Sequence, residues 1–106
     1  MDEAVAGVVR VYWDNVVGKI ILLSGRQEKD REVTEAWLEE NRIPYNVLFM
    51  RPTNDGRKDS IVKEEIYRRE IEGHYNVRFV LDDRQQVVDM WRSLGLKCFQ
   101  VAESPD

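Results

Sequence analysis

At 106 residues and a net charge of −4, the chain suits one domain with one core and has no global basic field to draw it to nucleic acid. Its 42% hydrophobic and 34% charged residues describe a soluble globular chain, not a disordered one. A single cysteine, Cys98, excludes an internal disulfide and fits a reducing, cytoplasmic compartment.

No apolar run approaches the ~20 residues of a membrane span. The opening "MDEAVAG" lacks the basic flank and apolar core of a signal peptide. Residues 3–17 place Val5, Val8, Val9, Tyr12, Trp13 and Val16 at helical spacing, with Gly18 at the helix end. Ile20 to Leu23 form a short apolar run ending at Ser24-Gly25, which reads as a buried parallel strand. Asp30 is placed to cap a second helix whose inner face is Val33, Trp37 and Leu38. Pro44 ends that segment, and "YNVLFM" reads as a second strand.

"RPTNDGRKD" has the composition of a loop. Asp59 or Ser60 can cap a third helix carrying Ile61, Val62, Ile66, Tyr67 and Ile71, closed by Gly73. "VRFVLDD" reads as a third strand. Gln85 to Leu94 read as a fourth helix with Val87, Val88, Trp91 and Leu94 inward, stopped by Gly95, and "KCFQVA" is the fourth strand. Trp13, Trp37 and Trp91 are expected in the core, Cys98 as a small apolar strand residue, and His74 as a solvated loop residue.

Helices alternating with apolar strands predict a three-layer α/β/α domain over residues 1–106, with a mainly parallel four-stranded sheet. Ligands in such folds sit beyond the carboxyl ends of the strands. That edge carries Ser24-Gly25-Arg26, Met50-Arg51 and Asp82-Asp83-Arg84. Crossover helices return their N-termini to it, bringing Arg57, Lys58, Asp59 and Lys63.

These residues have a phosphoryl-transfer logic. Ser24 offers a hydroxyl, and the amides after it open toward a phosphate. Arg26 and Lys63 can neutralise phosphate oxygens. Asp82 and Asp83 are hard oxygen ligands of the kind Mg²⁺ takes, and Asp59 can position Lys63 or complete a metal shell. Each also has a structural reading: Ser24-Gly25 as a turn, Asp59 as a helix cap, Lys63 as a solvated charge, and Asp82-Asp83 as caps of the fourth helix. Their placement at one sheet edge favours the functional reading.

"LLSGR", "GRKDSIVKEEIY" and "VLDDRQQVVDMWRSLGLKCFQVA" resemble the phosphatase domain of phage polynucleotide kinase-phosphatases, in the haloacid dehalogenase (HAD) superfamily. The resemblance implies Mg²⁺-dependent hydrolysis of 3′-phosphates on nucleic acid ends through an aspartyl-phosphate. It gives Ser24 and Arg26 the substrate phosphate, Lys63 the phosphoryl charge with Asp59 as companion, and Asp82 and Asp83 the Mg²⁺. Arg57 and Arg84 become contacts to the nucleic acid strand.

The family's nucleophile lies in a D-x-D-G-T-like motif on a strand before these segments, and no D-x-D occurs in this sequence. The resemblance therefore implies that the first, central strand is missing and that the chain is inactive alone. Direct pairing of the strands ending at Ser24 and Asp83 is expected; a partner chain or a swapped homodimer filling the slot is the alternative. Two other functions stay open, a phosphate-end or protein binding module without catalysis and a structural remnant.

Overall fold

The computed structural model describes residues 9–10 and 18–103. Strands and helices alternate along them: β1 (Ile21–Gln27), α1 (Arg31–Glu40), β2 (Val47–Arg51), α2 (Asp59–Ile66), β3 (Val80–Asp82), α3 (Gln85–Ser93) and β4 (Cys98–Gln100). A 3-10 turn, Glu28–Asp30, leads into α1, and a π-helical turn, Tyr67–Ile71, prolongs α2. The helix expected over 3–17, with Trp13, lies outside the described residues except for Val9 and Arg10, which are helical.

β1 pairs with β2 and β3 with β4, both in parallel and both across a single helix. The fold is α/β with parallel strands. The expected pairing of the strand ending at Ser24 with the one ending at Asp83 is not found: the described strands form two separate two-stranded sheets. Each strand bonds the neighbour reached through one crossover, the commoner pairing for consecutive strands. The chain divides into two compact units, Met1–Gly56 and Arg57–Asp106.

In the first unit, Val9, Ile20, Leu38, Ile43, Leu48 and Met50 form a buried cluster, with Leu22 and Tyr45 against it. The Ile20 amide donates to Asn46 Oδ1 at 2.8 Å, and the Asn46 amide donates to the Ile20 carbonyl at 2.9 Å, which sets the β1–β2 register at its start. The inner face of α1 differs from expectation. Leu38 is buried, but Val33 is 65% exposed and Trp37 38%, and Thr34 takes the inward position four residues before Leu38. An i, i+4 pair defines one face of a helix, and Val33 lies beside that face, not on it. Asp30 stands at the N-cap position of α1 without a side-chain cap bond.

In the second unit, Val62, Ile66, Val87 and Val88 are at most 1% exposed and form the centre of the packing. Ile61, expected inward, is exposed: the buried face of α2 runs through Val62 and Ile66, one turn apart, and Ile61 lies off it. Lys58, not Asp59 or Ser60, occupies the N-cap position of α2, and Arg84 that of α3; neither makes a side-chain cap bond. The expected stop signal of α3 holds. Gly95 adopts φ +82°, its amide bonds the Arg92 carbonyl at 3.0 Å, and the Leu96 amide bonds the Trp91 carbonyl at 3.2 Å. Those two bonds are a Schellman ending, which needs the left-handed residue glycine supplies without strain. Gly73, after the π-helical turn, has φ +80°. Among the described residues, no helix is long and apolar enough to cross a membrane.

Candidate active site

In the second unit, the start of α2 and the end of β3 place three charged side chains together. The Lys63 ammonium lies 3.2 Å from Asp59 Oδ2 and 3.5 Å from Asp82 Oδ2. Asp59 and Lys63 are one helical turn apart, so their meeting follows from sequence spacing alone. Asp82 reaches them because a strand ends there. The three side chains are only 7–11% exposed. Buried charge of this kind persists only when paired, since desolvation of each ion costs several kcal/mol.

Asp82 has further partners. The Trp91 indole N–H donates to the same Oδ2 at 3.2 Å, and the Asp83 amide donates to Oδ1 at 2.9 Å. Tyr67 packs edge-on against Trp91, with ring centroids 5.7 Å apart. The Asp82 carboxylate is therefore fixed in orientation from both oxygens. Asp83 is exposed. Arg84 brings Nη1 within 3.9 Å of Asp59 Oδ2 while staying 44% exposed. Arg57 is held by Glu65, Nη1 to Oε2 at 2.8 Å, on the exposed surface.

Among the described residues, no group of three or more His, Cys, Asp or Glu side chains converges as a metal site. Asp82 and Asp83 are the carboxylates here of the kind that hold Mg²⁺, an ion usually bound by one or two carboxylates with water and phosphate oxygens completing its shell. Asp83 is exposed, and the Asp82 carboxylate has its orientation set by Trp91 and the Asp83 amide. Cys98 lies beside this group on β4. Burial first, and then the negative charge of Asp82, push its thiol pKa up against the opposing influence of Arg92. It is a buried thiol in a packing role.

In the first unit, the end of β1 has a different construction. The strand does not stop at Ser24-Gly25. Ser24 pairs with Met50 and Gln27 with Arg51, so Gly25 and Arg26 bulge out of the ladder. The Ser24 hydroxyl oxygen accepts the Arg26 amide at 3.0 Å. Arg51 pins the bulge, its Nε donating to the Gly25 carbonyl at 2.9 Å and its Nη1 to the Asp55 carbonyl at 3.0 Å. The Asn54 amide donates to Gln27 Oε1 at 2.8 Å. Bulges re-aim side chains and are common beside binding sites. Here the bulge displays Ser24 and an exposed Arg26.

Two supporting residues escape the sequence reading. Trp91 was expected only as core, yet it holds Asp82. Its signal is that a buried tryptophan N–H requires an acceptor. Arg51 lay at the right edge but had no stated task; only the bulge reveals one.

The chain is similar to known proteins over nearly its whole length. The family model for the polynucleotide kinase PNKP phosphatase domain matches residues 1–105. A protein named bifunctional polynucleotide kinase/RNA ligase, from Autographa californica nuclear polyhedrosis virus, is 41% identical over 78 residues, covering 73% of this chain and 11% of that protein. Two solved structures of a Pnkp1/Rnl/Hen1 complex, one of them titled an RNA repair complex, each contain a chain 48% identical to this one, with a TM-score of 0.92. They cover 100% of this chain, which spans 34% and 37% of theirs. The chain thus corresponds to about a third of those solved chains and about a tenth of the viral relative. Matched over nearly its whole length, it belongs to the HAD-type polynucleotide kinase PNKP phosphatase domain family.

Proposed function

We propose that this chain carries the phosphate-binding and metal-binding residues of a polynucleotide 3′-phosphatase and that its attacking aspartate comes from a segment outside this sequence. The observation that carries the reading is Lys63, held buried between Asp59 and Asp82. A lysine fixed this way is a preorganised positive charge, which stabilises a phosphoryl group without reorganising during the reaction. Asp59 and Trp91 keep the Lys63–Asp82 pair in register. Ser24 and Arg26 would take phosphate oxygens, and Arg57 and Arg84 the adjoining strand. Mg²⁺, held by Asp82 and Asp83, would supply further positive charge to the phosphate when bound.

No D-x-D occurs in the sequence. Hydrolysis then needs an aspartate strand from a partner of different sequence or an adjoining segment. The same fact favours one second reading, in which the chain holds a 3′-phosphorylated end without cleaving it.

The test compares oligonucleotides ending in 3′-phosphate and 3′-hydroxyl, with Mg²⁺, for binding and for phosphate release. The chain alone should prefer the phosphorylated end and release no phosphate, and Lys63→Met should abolish the preference. Release should begin when a D-x-D-bearing strand is added and should vanish in Asp83→Asn. Equal affinity for both ends would sink the proposal. Binding that never becomes turnover would leave the second reading.

A further inference from the structure

We propose that Phe79 and Phe99 form a stacking platform for the bases of a single-stranded polynucleotide, a reading that rests on the polynucleotide assignment above. Both are exposed, Phe79 by 37% and Phe99 by 52%. Their rings meet edge to face, centroids 6.0 Å apart and planes at 71°. Phe99 registers with Leu81, and Phe79 precedes Leu81 by two positions, so the three side chains share one face of the β3–β4 pair. Cys98 and Asp82 turn to the opposite face, where Trp91 meets Asp82.

Lys97, exposed and two residues before Phe99, shares the ring face by the same alternation, while the exposed Arg78 adjoins Phe79 in the chain and alternates to the other face. The Val80 amide donates to the Lys97 carbonyl at 2.8 Å, which holds the two strand starts side by side. Aromatic rings with cations beside them are how proteins hold single strands: the rings stack bases and the cations meet the backbone. A protein partner fits less well. Two rings and a half-buried leucine fall far short of the ~800 Å² per partner that a stable interface buries. A base needs only one ring face.

The platform also has the right spacing from the site. Phe79 lies four positions before Asp83, about 13 Å along the strand at ~3.3 Å per residue. A stacked strand advances ~3.4 Å per nucleotide. A strand whose 3′-end reaches Asp83 would bring its third or fourth nucleotide over the rings.

Fluorescence anisotropy with labelled single strands of two to six nucleotides, each with 3′-phosphate or 3′-hydroxyl, tests this on the 106-residue chain. Affinity should rise between two and five nucleotides. Phe99→Ser and Phe79→Ser should each remove about tenfold of that gain, and Phe99→Tyr, which still stacks, should retain it. Circular dichroism checks that the variants fold. An unchanged length gain in both serine variants overturns the platform. So does sedimentation showing that the serine variants alter self-association and leave oligonucleotide binding alone, which would make the face a protein contact. A length gain lost in the serine variants but indifferent to the 3′-phosphate supports the platform while removing the 3′-end assignment. A 3′-phosphate preference without any length gain does the reverse.

Discussion

The ends of β1 and β3 are built from different materials. At β1, a bulge pinned by Arg51 displays a serine hydroxyl and exposed Arg26, and most of the contacts involve main-chain groups. At β3, three buried charged side chains and a tryptophan interlock. The first end is open and adjustable, and its polar groups can be rehydrated at little cost. The second is desolvated and preorganised, so each member depends on the others. Stability should therefore be sensitive to substitution among the charged group at β3 and nearly indifferent at the bulge of β1.

The largest departure should come from Lys63→Ala, which removes the buried cation between the Asp59 and Asp82 carboxylates. A loss of about 3–5 kcal/mol in urea unfolding is expected; a loss below about 1 kcal/mol would show that water enters the group freely. Trp91→Phe keeps the ring against Tyr67 and removes only the indole donor. It should cost about 1.5–3 kcal/mol, the range for a hydrogen bond to a charged group. A silent Trp91→Phe would mean that Lys63 alone orients Asp82.

Ser24→Ala deletes an exposed contact to the Arg26 amide and should cost under about 1 kcal/mol in stability. Its effect belongs in 3′-phosphate affinity, so a large stability loss would erase the contrast between the two ends. The smallest effect concerns Glu28. Its hydrogen bond from Arg31 holds the carboxyl below its ordinary pKa, with burial opposing. A lowered folded-state value gives stability that is present above the ordinary carboxylate pKa and lost as pH falls through the lowered one. The pair is about half exposed on the Glu28 side, so Glu28→Gln should cost no more than about 0.5 kcal/mol and flatten the acid limb of a pH titration of stability by that amount.

The convergence of Asp59, Lys63 and Asp82 was legible in sequence because two simple rules overlap there. Helical spacing joins Asp59 to Lys63, and the return of a crossover helix brings both to the end of the strand carrying Asp82. What failed was finer. Apolar residues mark a helix but not which neighbour turns inward, so Val33, Trp37 and Ile61 were misplaced. Of the expected caps only Asp30 stands at an N-cap position, and it makes no cap bond; Lys58 and Arg84 take the other two. The bulge at Gly25-Arg26 and the separate sheets depend on backbone pairing that local pattern does not encode. The task of Trp91 depends on which polar atom sits at the end of a buried indole.

The π-helical turn Tyr67–Ile71 carries a lesson for altering or aligning this chain. A π-turn amounts to one residue inserted in an α-helix. Excising a residue there would regularise the helix and look harmless on paper. It would also rotate everything after the cut by about 100°, the angle between successive residues at 3.6 per turn. Ile71, now 5% exposed, would leave its place, and a cut at Tyr67 itself would take away the ring that braces Trp91. Length variation among relatives should thus be tolerated in the loop before α2 and excluded from these five residues, a pattern of gaps that traces the site without naming any of its ligands.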